Sequence, residues 1–213
     1  MAEYITAFVT LFIVVDPIGL APLFIALTQG LDARRRRAVG LRACAVAAGL
    51  LTLFGLLGER LLGGIGISMP AFRIAGGLLL FLTALDMLFE RRTRRREGQS
   101  AESAADLADD PSIFPLATPL IAGPGAMATM ILLVGAPGAG WGNVAAVHGV
   151  MLAVLACVMA LFLVAGPIER ALGRTGTLVV TRLLGMLLAA LAVQFVLDGM
   201  RGAGMIGMLP AGR

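Results

Sequence analysis

Apolar residues along this chain fall into runs too long for a soluble core, separated by short polar or arginine-bearing stretches. Six such runs stand at about 5–28, 38–57, 70–89, 113–134, 143–165 and 177–199. A helix needs about 20 apolar residues to cross a bilayer, so each run predicts one transmembrane helix. The first and fourth runs are interrupted. In ITAFVTLFIVVDPIGLAPLFIALT, Asp16 falls almost at the centre, with Pro17 and Pro22 behind it. An acid at that depth costs about 3 kcal/mol on insertion scales, and a proline in a helix interior about 3 kcal/mol or more. Asp followed by Pro is an N-cap followed by a first helical residue. Run one therefore predicts two half-helices, the second starting at Asp16-Pro17, with Gly19 easing the unwound backbone. The plainer alternative is a proline kink whose aspartate only caps its own helix. Run four, IFPLATPLIAGPGAMATMILLV, carries Pro115, Pro119 and then Gly123-Pro124-Gly125 near its centre, and predicts a second broken span.

Composition agrees with a polytopic membrane protein: 59% of the 213 residues are hydrophobic and 14% charged. The start, MAEYITAF, has an acid in place of a positive n-region and reads as the first span rather than a signal peptide. Cys44 and Cys157 lie inside apolar runs and form no disulfide framework. A pI near 10.4 would suit a nucleic-acid binder, but the basic residues, all arginine, cluster between the spans. Arg34–Arg37 with Arg42, the run Arg91 to Arg96, and Arg170, Arg174 and Arg182 place 13 of the 17 on one face. The positive-inside rule makes that face cytoplasmic and sets both termini outside the cytoplasm. No nucleic-acid partner is expected; the partner is the lipid bilayer.

The two halves resemble each other. Glu59-Arg60-Leu61-Leu62-Gly63 recurs as Glu169-Arg170-Ala171-Leu172-Gly173, and Arg73-Ile74-Ala75-Gly76 as Arg182-Leu183-Leu184-Gly185; Pro17 matches Pro124. Residues 1–90 and 111–213 then form two three-span units joined by a cytoplasmic linker, 91–110. An odd number of spans makes the second unit enter from the opposite side. The expected fold is an all-α membrane protein of six helices in two inverted-topology repeats, with helices 1 and 4 discontinuous, as in many secondary transporters.

In that arrangement the second halves of runs one and four both start near the midplane, with their free N–H groups and positive dipole ends converging on one volume. Asp16 offers a carboxylate to a cation. Gly123 has no side chain, which leaves the N–H groups behind it for an anion. Together they suit a small zwitterion, walled by Ala122, Gly125 and Ala126, with hydroxyls at Thr118 and Thr129. The candidate binding set is Asp16, Pro17, Gly19, Thr118, Gly123, Pro124, Gly125 and Thr129. No cofactor or metal is implied.

DPIGLAPLFIALTQG and PLATPLIAGPGAMATMILL resemble the paired signatures of the MarC/SnatA membrane proteins, and the resemblance covers essentially the whole chain. It implies a six-span inner-membrane protein, with members related to SnatA carrying small neutral amino acids such as glycine and alanine. It also implies that Asp16, Pro17, Gly19, Pro22, Gly123, Pro124 and Gly125 occupy the functional motif positions. One departure is Leu20, where family members commonly have Asn; the loss removes a polar contact.

Other polar residues have plainer readings. Arg73 and Arg182 sit just inside span ends, where snorkelling is the simple reading; their matched placement allows symmetric gates with Glu59 and Glu169. Gly76 and Gly185 allow close helix approach. Gln194 reads as an interhelical hydrogen bond, Asp86 as a neighbour of the linker arginines, and His148 as a candidate proton relay near the outer end of run five. The expected function is a secondary transporter of small neutral amino acids coupled to protons or sodium. A passive pore or small-metabolite exporter is the alternative. A membrane-embedded enzyme is disfavoured by the lack of HExxH, GxSxG or paired intramembrane acids. Substrate, coupling ion, direction and a homo-oligomeric state stay open at this stage.

Overall fold

A computed structural model describes residues 2–89, 91, 110–136 and 140–205; the side chains of 2, 168–172 and 174 fall outside that description. Most of the linker at 91–110 therefore lies outside the described residues, as does the side chain of the gating candidate Glu169. The described chain is all helical: α1 (Ala2–Val15), α2 (Pro17–Leu27), α3 (Ala33–Gly64), α4 (Met69–Leu88), α5 (Ser112–Ile121), α6 (Pro124–Val134), α7 (Trp141–Leu163) and α8 (Ala165–Gly202). Five stretches are long and apolar enough to cross a membrane, the first being Glu3–Leu27 across α1 and α2; the bent pair α5–α6 makes a sixth.

α3 differs from its expected extent. At about 1.5 Å per residue its 32 residues make a rod of about 48 Å, longer than the roughly 30 Å of hydrocarbon. The glycine-rich stretch expected to be a connector from Gly58 is still helical as far as Gly64, so Glu59 and Arg60 stand exposed on its last turns. The reason is packing. Gly40, Ala43, Ala47, Leu51, Gly55, Gly58 and Leu62 recur every three or four residues as its buried stripe. A Cβ at Gly58 would land on Ile131 of α6, so this glycine admits a neighbour rather than ending a helix.

α3 packs on α5, α6 and α7, and α7 packs on α1, α2 and α3; α2 meets α8, and α4 meets α6. The most extensive contact joins α4 to α8. They run antiparallel: Ile74 meets Gly199, Gly77 meets Val196 and the Ala192 carbonyl, and Ala84 meets Gly185. Gly185 thus provides the close approach its sequence context predicts, while Gly76 lies against Leu132 of α6. Arg42 on α3 pairs with Asp110 ahead of α5, placing the Arg34–Arg37 end of α3 beside the start of the second half. The core is aliphatic, centred on Leu11, Leu51, Leu80, Leu116, Met130 and Met151, with Phe24 stacked on Phe162 at 4.0 Å.

Candidate functional site

Asp16 is the sole non-glycine residue with positive φ among the described residues, at φ 58° and ψ 63°. Left-handed backbone costs an L-residue roughly 1–2 kcal/mol, least for Asn and Asp. Local bonds offset it. The Asp16 N–H donates to the Phe12 carbonyl at 2.9 Å and its own carbonyl accepts from the Leu20 N–H at 3.0 Å. Its carboxylate accepts from the Gly19 N–H at 3.1 Å. One residue thus closes α1 and caps α2, and it is only 2% exposed. Gly19 serves this cap: a Cβ there would fall on the Asp16 carboxylate. Pro17, the first residue of α2, is buried, and so is Leu20, in the aliphatic core.

The second interruption is built differently. α5 is a wide helix, closed in part by i→i−5 bonds from Leu116 N–H to the Pro111 carbonyl and from Ala122 N–H to the Ala117 carbonyl. Phe114 and Thr118, each before a proline, have extended backbone, as the clash with the proline ring dictates. α6 then leaves at 57° to α5. Its N-cap Gly123 (φ −78°, ψ 171°) brings no side chain to the first turn. The lack of a Cβ at Gly123 is enforced by packing, since one would come within 2.6 Å of the Pro119 carbonyl oxygen. Pro124 is exposed and Thr118 half-buried. Thr129 is buried and its hydroxyl donates to the Gly125 carbonyl at 2.8 Å, so its proton is used within α6.

The two interruptions are neighbours. A Cβ on Gly125 would lie 3.4 Å from Val14 Cγ1, and 3.9 Å from Thr83 Oγ1 on α4. The second residue of α6 therefore faces the last turn of α1, two residues ahead of Asp16. Thr83 and the α4 face it belongs to carry no polar pattern that would single them out in the sequence.

The gating candidates are dispersed. Arg73 is half-buried and its guanidinium donates to the Gly135 carbonyl at 3.1 Å, against the negative end of the α6 dipole. Asn143 on α7 donates to the Leu133 and Val134 carbonyls at 3.1 and 3.3 Å, completing the cap of α6. Arg73 and Asn143 line a cavity of about 470 Å³ with Glu3, Tyr4 and Asp198. Sequence reasoning missed Glu3, Asn143 and Asp198, whose chain positions give no hint that they converge. Arg182 is exposed on α8 and Glu59 at the far end of α3. Gln194 donates to Asp198 on its own helix at 2.9 Å, within α8 rather than between helices. His148 Nδ1 lies 2.7 Å from the Val144 carbonyl, which makes it the N–H donor; Nε2 is buried against Gly55 of α3, without a partner among the described residues.

Comparison with known proteins adds the lineage. The family model described as "MarC family integral membrane protein" matches residues 1–204. A membrane protein of Methanocaldococcus jannaschii is 35% identical over 94% of this chain and 97% of its own. YvbG of Bacillus subtilis is 36% identical, over 95% and 94%. The inner membrane protein YhgN of Escherichia coli is 33% identical, over 94% and 98%. No solved structure matches the chain. With its apolar helices and these relatives, the chain belongs to the MarC family of integral membrane proteins.

Proposed function

We propose that the chain is a secondary transporter of small neutral amino acids, driven by a proton or sodium gradient and working by alternating access between two inverted three-helix units. It has no enzymatic activity in this reading. Both termini face away from the cytoplasm, and the arginine-rich end of α3 faces it. The observation that carries the reading is Asp16: a carboxylate buried in the middle of an apolar span, at a left-handed residue between two helices. Ionisable groups at membrane depth mark ion and substrate paths, and interrupted helices with exposed ends bind the charged parts of substrates. Asp16 takes the substrate amine or the coupling ion. The first turn of α6, without a capping side chain, takes the carboxylate. Thr118 and Thr129 flank it, Pro17, Gly19, Pro124 and Gly125 shape it, and Arg73, Arg182, Glu59 and Glu169 gate it.

The packing supports two exchanged units. If α1–α4 are matched to α5–α8, the more extensive contacts have counterparts: α3 on α5 and α6 answers α7 on α1 and α2, α4 on α6 answers α8 on α2, and α4 on α8 answers itself, whereas the smaller contacts of α1 with α6 and α8, and of α7 with α6 and α8, have no match of similar extent. A twofold relation between the halves produces such a pattern.

Counterflow in proteoliposomes tests this. Labelled glycine or alanine should exchange saturably and accumulate under a proton or sodium gradient. Flux that never saturates would make the chain a pore, and no flux of any neutral amino acid would remove the transporter reading.

A further inference from the structure

A second polar cavity lies at the other end of the molecule from Arg73 and Asn143. Between the end of α2, the start of α3 and the end of α7 there is a cavity of about 270 Å³. Arg36 and Arg37 form its polar side; Phe24, Phe162, Met159 and Leu163 form its apolar side. Among the described residues the buried Arg36 Nε atom has no hydrogen-bond partner. An unanswered donor on a charged group is costly to bury, so the cavity is chemically incomplete as it stands. What completes it is an anionic oxygen, since a guanidinium has donors and no acceptor. The first turn of α3 is already capped by the Asp32 carboxylate, which accepts from the Arg35 N–H at 2.7 Å, so the attraction for an anion comes from the two guanidinium groups.

The apolar side says what carries that oxygen. Phe24 and Phe162 are stacked with rings 3° from parallel, and Leu163 in the wall and Val164 next to it are exposed, at 56% and 46%. A bare phosphate has no use for such a wall. The volume holds a phosphodiester headgroup and little else, so attached acyl chains would run out along Leu163 and Val164.

We propose that this cavity is a specific site for an anionic phospholipid of the leaflet at the arginine-rich end, its phosphodiester held by Arg36 and Arg37 and its chains lying on the end of α7. This differs from the diffuse attraction any basic loop has for an anionic surface, because only two of the four consecutive arginines take part. Arg36 is half-buried and Arg37 lines the cavity from its exposed rim, whereas Arg34 and Arg35 do not line it.

Native mass spectrometry of the purified full chain, titrated with phosphatidylglycerol, separates the two. Arg36→Gln with Arg37→Gln should weaken the first bound lipid about tenfold, whereas Arg34→Gln with Arg35→Gln should change it less than about twofold. Ala33→Phe, at a residue lining the cavity, narrows it while keeping every charge and should reproduce the loss. Equal weakening by both arginine pairs, or unchanged binding to the Ala33→Phe variant, overturns the site. Equal binding of phosphatidylcholine overturns the requirement for an anion, and displacement by millimolar inorganic phosphate alone overturns the lipid as occupant.

Discussion

The interruptions at Asp16 and at Gly123 solve one problem by opposite means. At the first, a single left-handed residue ends α1 and begins α2, its carboxylate caps the new helix, and Glu3–Leu27 still passes as one span. At the second, a widened helix with two extended residues precedes a 57° turn, and the new helix begins without a side-chain cap. One break is filled by its own side chain; the other is shaped by neighbouring backbone. A carboxylate can give up a weak self-contact for a cation, while a bare glycine start can only receive. The proposed site for a molecule with one positive and one negative end rests on this asymmetry.

The largest effect expected is from Asp16→Asn. Asparagine tolerates the left-handed region and caps helices as well as aspartate does, so thermal unfolding should move little while gradient-driven uptake falls to background. Normal driven uptake by a folded Asp16→Asn protein would reduce Asp16 to a structural cap and erase the functional half of the contrast.

Gly123→Ala should cost about 1–3 kcal/mol, the usual penalty for overpacking, because the new methyl meets the Pro119 backbone carbonyl rather than a flexible side chain. A melting temperature equal to wild type would mean that the second break adjusts freely. Gly19→Ala should instead displace the Asp16 carboxylate and cost about 1 kcal/mol, the value of an N-cap; stability and uptake measured together tell a lost cap from a lost site. The smallest effect expected is from Thr129→Val. It removes one bond to the Gly125 carbonyl, about 1 kcal/mol or less, and a large drop in substrate affinity with little change in unfolding would give the hydroxyl a role at the site.

Much of this layout is visible in the residues themselves. The apolar runs mark the spans, and Asp16-Pro17 and Gly123-Pro124 announce helix starts because cap and first-turn chemistry are local. Local signals mislead where a residue serves a distant partner. Gly58, Gly63 and Gly64 look like a loop, yet Gly58 is there to let Ile131 approach, and the helix runs through all three. Gln194 looks like an interhelical donor, but Asp198 lies one turn along the same helix. The polar group of Glu3, Arg73, Asn143 and Asp198 is drawn from four separate helices and has no signature in any one of them. The extended backbone at Phe114 and Thr118 follows from the prolines after them, but the 57° turn is set by what α6 must pack against.

The seam between α4 and α8 has a mechanical meaning. Its closest approaches set Gly77 against the Ala192 carbonyl and the Val196 side chain, and Gly199 against the Pro70 carbonyl and the Ile74 side chain. Such a joint works as a keel: glycines that admit a branched side chain and a backbone carbonyl together fix the last helix of one half to the last helix of the other. Rocking of the halves would then be carried by the cracked spans on the far side, Asp16 and Gly123 acting as pivots.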